Sequence, residues 1–471
     1  MRKFITLALI AGISFSVHNP AAIAAVKAGE KCSKVGQTAT AQGKTFTCIK
    51  SGKKFVWNKG QATTVKKPSA PSNNQSAPTA PAKVVQTYTE PTVTSENIET
   101  CKIKESNQNR NSGSFALPSG FPAIDNLAKK TGTVKWAVIP IEFTDLKGQT
   151  DFRSRIDSQM KLASEWFETV SEGKFKVEWV VADNWVKIPN PTTGYPVDRS
   201  MNLGDSPAGT QLFKDAMKAA DQVFDFTDVQ TVNFILPLGQ QFILESSQGF
   251  PWDAPIKELV LNEGKISSFS MAGAFFDRDN RQYWSYWVHE FGHAMGIPHI
   301  GSSRVANAFL NLDIMGNQDG YARELSGWNR FVAGWLPDNK VYCQDAAKLS
   351  SAEFSLVPLS DSNLGNKLAV IKLSESRAIV IESRRETKFS CKMPSKKDGL
   401  LVYIYDATRS HGENYMIPVT PAGRMDESSS NCPVAPNPDP YLYLNQSISV
   451  EGVRIQLVES QIYDKVKITR E

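Results

Sequence analysis

The sequence predicts a mixed α/β (α+β) central domain, preceded by a small disulfide module and followed by a β-sandwich-like domain. Three observations predict this. Helical and strand-like periods alternate between residues 97 and 340. Beyond residue 340 only short apolar runs between turn residues remain. Near the start, Cys32 and Cys48 bracket a stretch too short to bury a core of its own.

Composition narrows the function classes. With 41% hydrophobic and 21% charged residues the chain has ordinary globular usage, which excludes wholesale disorder. A mean hydropathy of -0.31 excludes a multi-span membrane protein. Lys+Arg 53 against Asp+Glu 48 leaves +5, too mild over 471 residues for a dedicated nucleic-acid binder. The length sets a prior of about three domains.

Residues 1–25 read as a secretory signal peptide. Arg2 and Lys3 precede an apolar run from Phe4 to Val17, and Ala22, Ile23 and Ala24 give small residues at A-x-A spacing. The run is shorter than the roughly 20 residues that span a bilayer. No cysteine stands directly after the expected cleavage site, and the end at 465–471 is charged, so no lipid anchor and no transmembrane segment after signal removal are expected. The expected location is therefore secreted, extracellular or loosely associated with a cell wall, where disulfides persist.

Residues 26–60 form the small module, with strands at 45–47 and 54–57, turns at Gly43 and Gly52, and a Cys32–Cys48 bridge as staple. Its eight lysines face one acid, Glu30. This basic patch suits an anionic cell-wall polymer as partner; the plainer reading is solvated lysines on a tiny domain. Residues 61–96, rich in Pro, Ser, Ala and Thr, read as an extended linker.

The large domain, 97–340, offers a strand at Val134–Phe143, a helix over 152–170 and strand-like sequence at 174–188. A second helix over 209–223 and a buried strand over 231–236 follow, then Gly- and Ser-rich connections up to Gly273. Residues 341–471 carry short strands at 354–357, 368–373, 378–382 and 400–405, with more over 448–468. No repeat of solenoid period is visible.

The most informative string is His289-Glu290-Phe291-Gly292-His293-Ala294-Met295-Gly296-Ile297-Pro298-His299. On a helix, positions i and i+4 share a face, so His289 and His293 offer imidazole nitrogens to one metal. Glu290 reaches a water without being a ligand. Gly296 suits the left-handed conformation that ends a helix, after which His299 returns as a third ligand. Three protein ligands with a fourth position open are the pattern of a catalytic zinc site. Of five histidines in the chain, His18 leaves with the signal peptide and three stand in this string; His411 reads as a surface loop residue.

The spacing is that of metzincins, which place a methionine turn after the third ligand, and Leu312-Asp313-Ile314-Met315-Gly316 fits that place. The sulfur is expected as an apolar floor under the metal. Some metzincins add a tyrosine ligand two residues after the methionine; Asn317 stands there, and Tyr321 is a weak substitute. With the zinc motif, Asp313 to Gly316, then Ser326-Gly327-Trp328-Asn329 leading into Gly334-Trp335-Leu336, the chain resembles the immune inhibitor A-like secreted metallopeptidases. The strand Val134–Phe143 and Ser171-Glu172-Gly173-Lys174-Phe175 join the likeness, which covers about residues 130–410. The third ligand departs from it: members of that family often carry Asp where His299 stands. The resemblance implies a secreted protease with a metzincin-like zinc protease domain, and such proteases often hold Ca2+. The only hint of Ca2+ is Asp277-Arg278-Asp279-Asn280, which lacks the rest of a calcium loop.

The expected function is a secreted zinc metalloendopeptidase acting on protein or peptide substrates, with Glu290 as general base. The alternatives are a cell-surface binding protein with a decayed protease domain, or a zinc peptidase acting on cell-wall peptides. Cys101, at the start of the large domain, is placed to hold zinc latent as a thiolate, which is chemically permissible. It is expected instead in a disulfide, because it belongs to an even set of six cysteines in an exported chain. The pairing among Cys101, Cys343, Cys391 and Cys432 is left open by the sequence.

Overall fold

The computed structural model describes residues 30–32, 35, 38–41, 44–51, 54–59 and 61–62 of the N-terminal part. It further describes residues 95–471 apart from 107–116, 126, 198–205, 244–245, 251–252, 258, 260, 278–280, 302–308, 321, 362–364, 390–398, 410–412, 420 and 422–438. The expected signal peptide, most of the linker, Asp279, Asn280, Tyr321, Cys391, His411 and Cys432 lie outside the described residues. The chain divides into two compact units, Met1–Thr87 and Tyr88–Glu471.

In the first unit, β1 (Thr38–Ala41), β2 (Lys44–Ser51), β3 (Lys54–Trp57) and β4 (Gln61–Ala62) form one antiparallel sheet around β2. Cys48 stands opposite Trp57, and with Phe46 these are its buried core. So small a core needs a staple. It has one in the Cys32–Cys48 disulfide, with Cα atoms 5.9 Å apart.

The second unit opens with β5 (Gly132–Glu142), α1 (Arg153–Val170), β6 (Phe175–Val181), β7 (Val186–Lys187), α2 (Pro207–Ala220) and β8 (Val229–Ile235). Next come β9 (Ser246–Gly249), α3 (Ala254–Lys257), β10 (Ser268–Ala272), α4 (Tyr283–Ala294) and α5 (Gly327–Val332). The sheet order is β6-β5-β8-β10-β9, parallel except for the antiparallel edge strand β9. Because successive strand side chains point to opposite faces, β5 feeds two cores. Val134, Trp136 and Val138 pack with α1 and α4, whereas Ala137, Ile139 and Ile141 pack with α2. Burial on both faces is why the strand reads as a near-continuous apolar run.

The remaining strands are β11 (Val341–Asp345), β12 (Ser351–Leu356), β13 (Leu368–Lys372), β14 (Arg377–Arg384) and β15 (Gly399–Asp406). They continue with β16 (Met416–Pro418), β17 (Tyr441–Leu442), β18 (Ser447–Val450), β19 (Val453–Ser460) and β20 (Asp464–Arg470). One sheet runs β11-β13-β14-β15-β16, with β17 also on β15; a second runs β12-β20-β19-β18. Ile379 and Ile381 of β14 share a core with the second sheet. Their neighbours Ala378 and Val380 face the other way, into the cluster that holds Phe291, Trp328 and Trp335. The sheet that contains β14 therefore has a second core on the side of α4. No helix among the described residues is long and apolar enough to cross a membrane.

Candidate metal centre

All twelve residues of α4 are buried. Phe291 anchors the helix on β5, its ring 4.7 Å from that of Trp136, and this fixes the opposite face, which carries His289 and His293. The helix stops at Gly296, whose φ of +90° suits only glycine well. There the Ile297 N–H donates to the Gly292 carbonyl at 2.9 Å, a left-handed C-terminal cap. The chain reverses and brings His299 back beside the helix.

The imidazole centroids of His289 and His293 are 4.8 Å apart, those of His289 and His299 5.4 Å, and those of His293 and His299 6.0 Å. The three rings thus lie side by side, but the donor atoms close enough to hold one metal ion are those of His289, Glu290 and His293, a group that does not include His299. Each ring is oriented by a backbone carbonyl at Nδ1: Ile314 at 2.6 Å for His289, Ile297 at 2.9 Å for His293, Gly301 at 3.2 Å for His299. A carbonyl only accepts, so Nδ1 carries the hydrogen and Nε2 carries the lone pair that a metal needs. Burial lowers the His299 pKa, which favours the same neutral form.

Glu290 is buried at 6% exposure. With His289 and His293 it forms a group whose donor atoms lie within 4.8 Å of one another, close enough to hold a metal ion. Burial pushes its carboxyl up to about 8.

Beneath the helix, the Met315 side chain lies so close to Gly292 that a Cβ there would come within 2.5 Å of Sδ. The turn is held by the fully buried Asp313, whose carboxylate accepts from the Met315 N–H at 2.7 Å and the Ser326 N–H at 2.6 Å. Gly292 and Asp313 stand inside strings the sequence already singles out, but their roles rest on tertiary contacts that spacing does not reveal. Of the calcium hint, only Asp277 is described, and it pairs with Arg155 at 3.2 Å.

Asp313 gives a pH prediction. Burial raises its pKa from 3.8 to about 6, against the pull of its N–H partners. Between those values the folded chain holds a proton that the unfolded chain has released. Its stabilising contribution is thus complete below the unfolded value and is lost as the pH rises through the folded one. Asp313→Asn, neutral throughout, is expected to remove that part of the pH slope of the urea midpoint. An unchanged slope would assign the titration to another group.

No family model and no curated protein matches the chain. Among solved structures, metalloproteinase-II from Bacteroides fragilis is similar at 13% identity and a TM-score of 0.26, over 48% of this chain and 59% of that one. Wild-type OgpA from Akkermansia muciniphila matches at 12% identity and a TM-score of 0.28, over 65% of this chain and 89% of its own. Its catalytically inactive form, in complex with an O-glycopeptide substrate (glycodrosocin), matches at 12% identity and a TM-score of 0.26, over 64% and 83%. These likenesses are distant, and the site is read from its own residues.

Proposed function

We propose that the chain is a secreted zinc-dependent endopeptidase that hydrolyses peptide bonds of proteins, similar to the immune inhibitor A-like metallopeptidases. The observation that supports this reading is the grouping of His289 and His293 with the buried carboxyl of Glu290, with the His299 ring centroid 5.4 Å and 6.0 Å from those of the two histidines. His289, His293 and His299 would hold the metal through Nε2, with Met315 as the apolar floor. A zinc ion supplies Lewis acidity there, polarising a carbonyl and acidifying a water. Glu290 takes the proton of the attacking water on a carboxylate oxygen and passes it to the leaving amine nitrogen. Its burial keeps that proton from bulk solvent.

In this reading residues 97–340 are the metallopeptidase domain and 341–471 the C-terminal β-rich domain. Residues 1–25 are removed, and the basic module of 26–60 follows the signal. The exposed Lys31, Lys50, Lys54 and Lys59 support a second reading, in which that module meets an anionic cell-wall polymer.

Dialysis against a chelator is expected to abolish casein hydrolysis, and one equivalent of zinc to restore it. A purified protein that binds zinc neither before nor after this treatment and cuts nothing would favour the binding-protein alternative.

A further inference from the structure

His289 and His293 are aimed by a rigid helix, but His299 sits beyond its end, on a segment without regular structure. A ligand so placed needs outside support to keep its imidazole within reach of the other two. Part of it comes from the methionine turn, where the Ile300 N–H donates to the Met315 carbonyl at 3.1 Å. The rest comes from over one hundred residues further along, from the turn that leads into β16.

Tyr415 is fully buried, and its hydroxyl donates at 3.2 Å to the carbonyl of Pro298, the residue just before His299. That hydroxyl lies 3.5 Å from the Asn329 amide of α5, which can donate to it and fix it from a second side. Asn414, at 4% exposure, presses its amide against Gly301, whose carbonyl faces His299 Nδ1. The fit is close: a Cβ on Gly301, at a φ of +62°, would stand 1.7 Å from Asn414 Oδ1. That oxygen is buried with no hydrogen-bond partner among the described residues. Two consecutive residues thus flank the His299 segment, one at the preceding carbonyl and one at the glycine whose carbonyl faces Nδ1.

We propose that the Asn414–Tyr415 turn is a positioning element for His299, which makes the C-terminal sheet a working part of the metal centre. The proposal rests on the zinc reading above and deepens it. Groups that orient a metal-binding histidine without touching the metal are typically worth about 10–100-fold in metal affinity. Both act through the backbone on either side of His299, so both are positioning residues.

The test is zinc affinity, read by chelator competition on the full chain, together with the visible absorption of the Co2+-substituted protein. Tyr415→Phe is expected to weaken zinc about tenfold or more and to alter the Co2+ spectrum, with metal-free thermal stability followed in parallel. The control is Tyr405→Phe: Tyr405 is equally buried, but its hydroxyl meets that of Ser119 at 3.2 Å. It is expected to lose comparable stability and keep wild-type zinc affinity. If Tyr415→Phe does not fold, Asn414→Ala carries the same expectation. Wild-type zinc affinity and spectrum in the Tyr415 or Asn414 variants would overturn the proposal, as would equal weakening in Tyr405→Phe. Wild-type protein that binds no zinc would instead overturn the metal reading beneath it.

Discussion

Glu290→Gln is expected to lower casein hydrolysis by about 10²–10⁴-fold, the range for loss of a positioned general acid–base, while one zinc per chain stays bound. The amide keeps the shape of the side chain and removes the basic oxygen. Because burial pushes the Glu290 carboxyl up to about 8, the group is already neutral near pH 7 in the metal-free chain, and Gln matches it in both shape and charge. The fold should therefore not weaken, and a loss of activity cannot be blamed on unfolding. Zinc content separates two roles that geometry alone leaves adjacent, since the Glu290 carboxylate and the His289 and His293 nitrogens lie within 4.8 Å of one another. If the variant keeps zinc and loses turnover, the base role holds and Glu290 is not a required ligand. If zinc leaves with the carboxylate, Glu290 is a ligand and the mechanism falls. Equal activity in variant and wild type would remove Glu290 from the chemistry altogether.

The parts of this site that the sequence makes legible are those fixed by local geometry. The i, i+4 spacing of His289 and His293 puts both on one helix face whatever the helix packs against. Gly296 at φ +90° ends that helix through a few adjacent hydrogen bonds. The apolar run at Val134–Phe143 is likewise readable as a buried strand. What is not legible depends on partners distant in the chain. Nothing in the sequence states that Met315 will lie against Gly292, or that the Asp313 carboxylate will tie the turn to Ser326. The alternation within β14, with Ile379 and Ile381 on one core and Ala378 and Val380 on another, is a property of two packing partners. A continuous apolar run of that length reads only as a short strand. The bond from the Tyr415 hydroxyl to the Pro298 carbonyl belongs to the same class, because its partners stand 117 residues apart.

Disulfide pairing is the extreme case of long-range order, and it carries the second large expected effect. Cys101 and Cys343 are bonded across a separation of 242 residues, with Cα atoms 5.8 Å apart and both side chains fully buried. The bond pins the turn at Ile98–Cys101 to β11, and so ties the start of the second unit to the sheet that runs from β11 to β16. A cross-link closing so long a loop removes much freedom from the unfolded chain. The Cys101→Ala/Cys343→Ala double variant is therefore expected to lose about 2–5 kcal/mol of unfolding free energy, seen as a lower urea midpoint. Replacing both partners avoids leaving one buried thiol behind. The same bond bears on latency, because a sulfur bound to Cys343 has no thiolate to offer a metal. In denatured, non-reduced protein, a thiol-labelling reagent should leave Cys101 unmodified, and proteolysis by the double variant should not exceed wild type at a temperature where both are folded. A labelled Cys101, with activity rising in Cys101→Ala, would replace the disulfide reading with a zinc-held inhibitory thiolate.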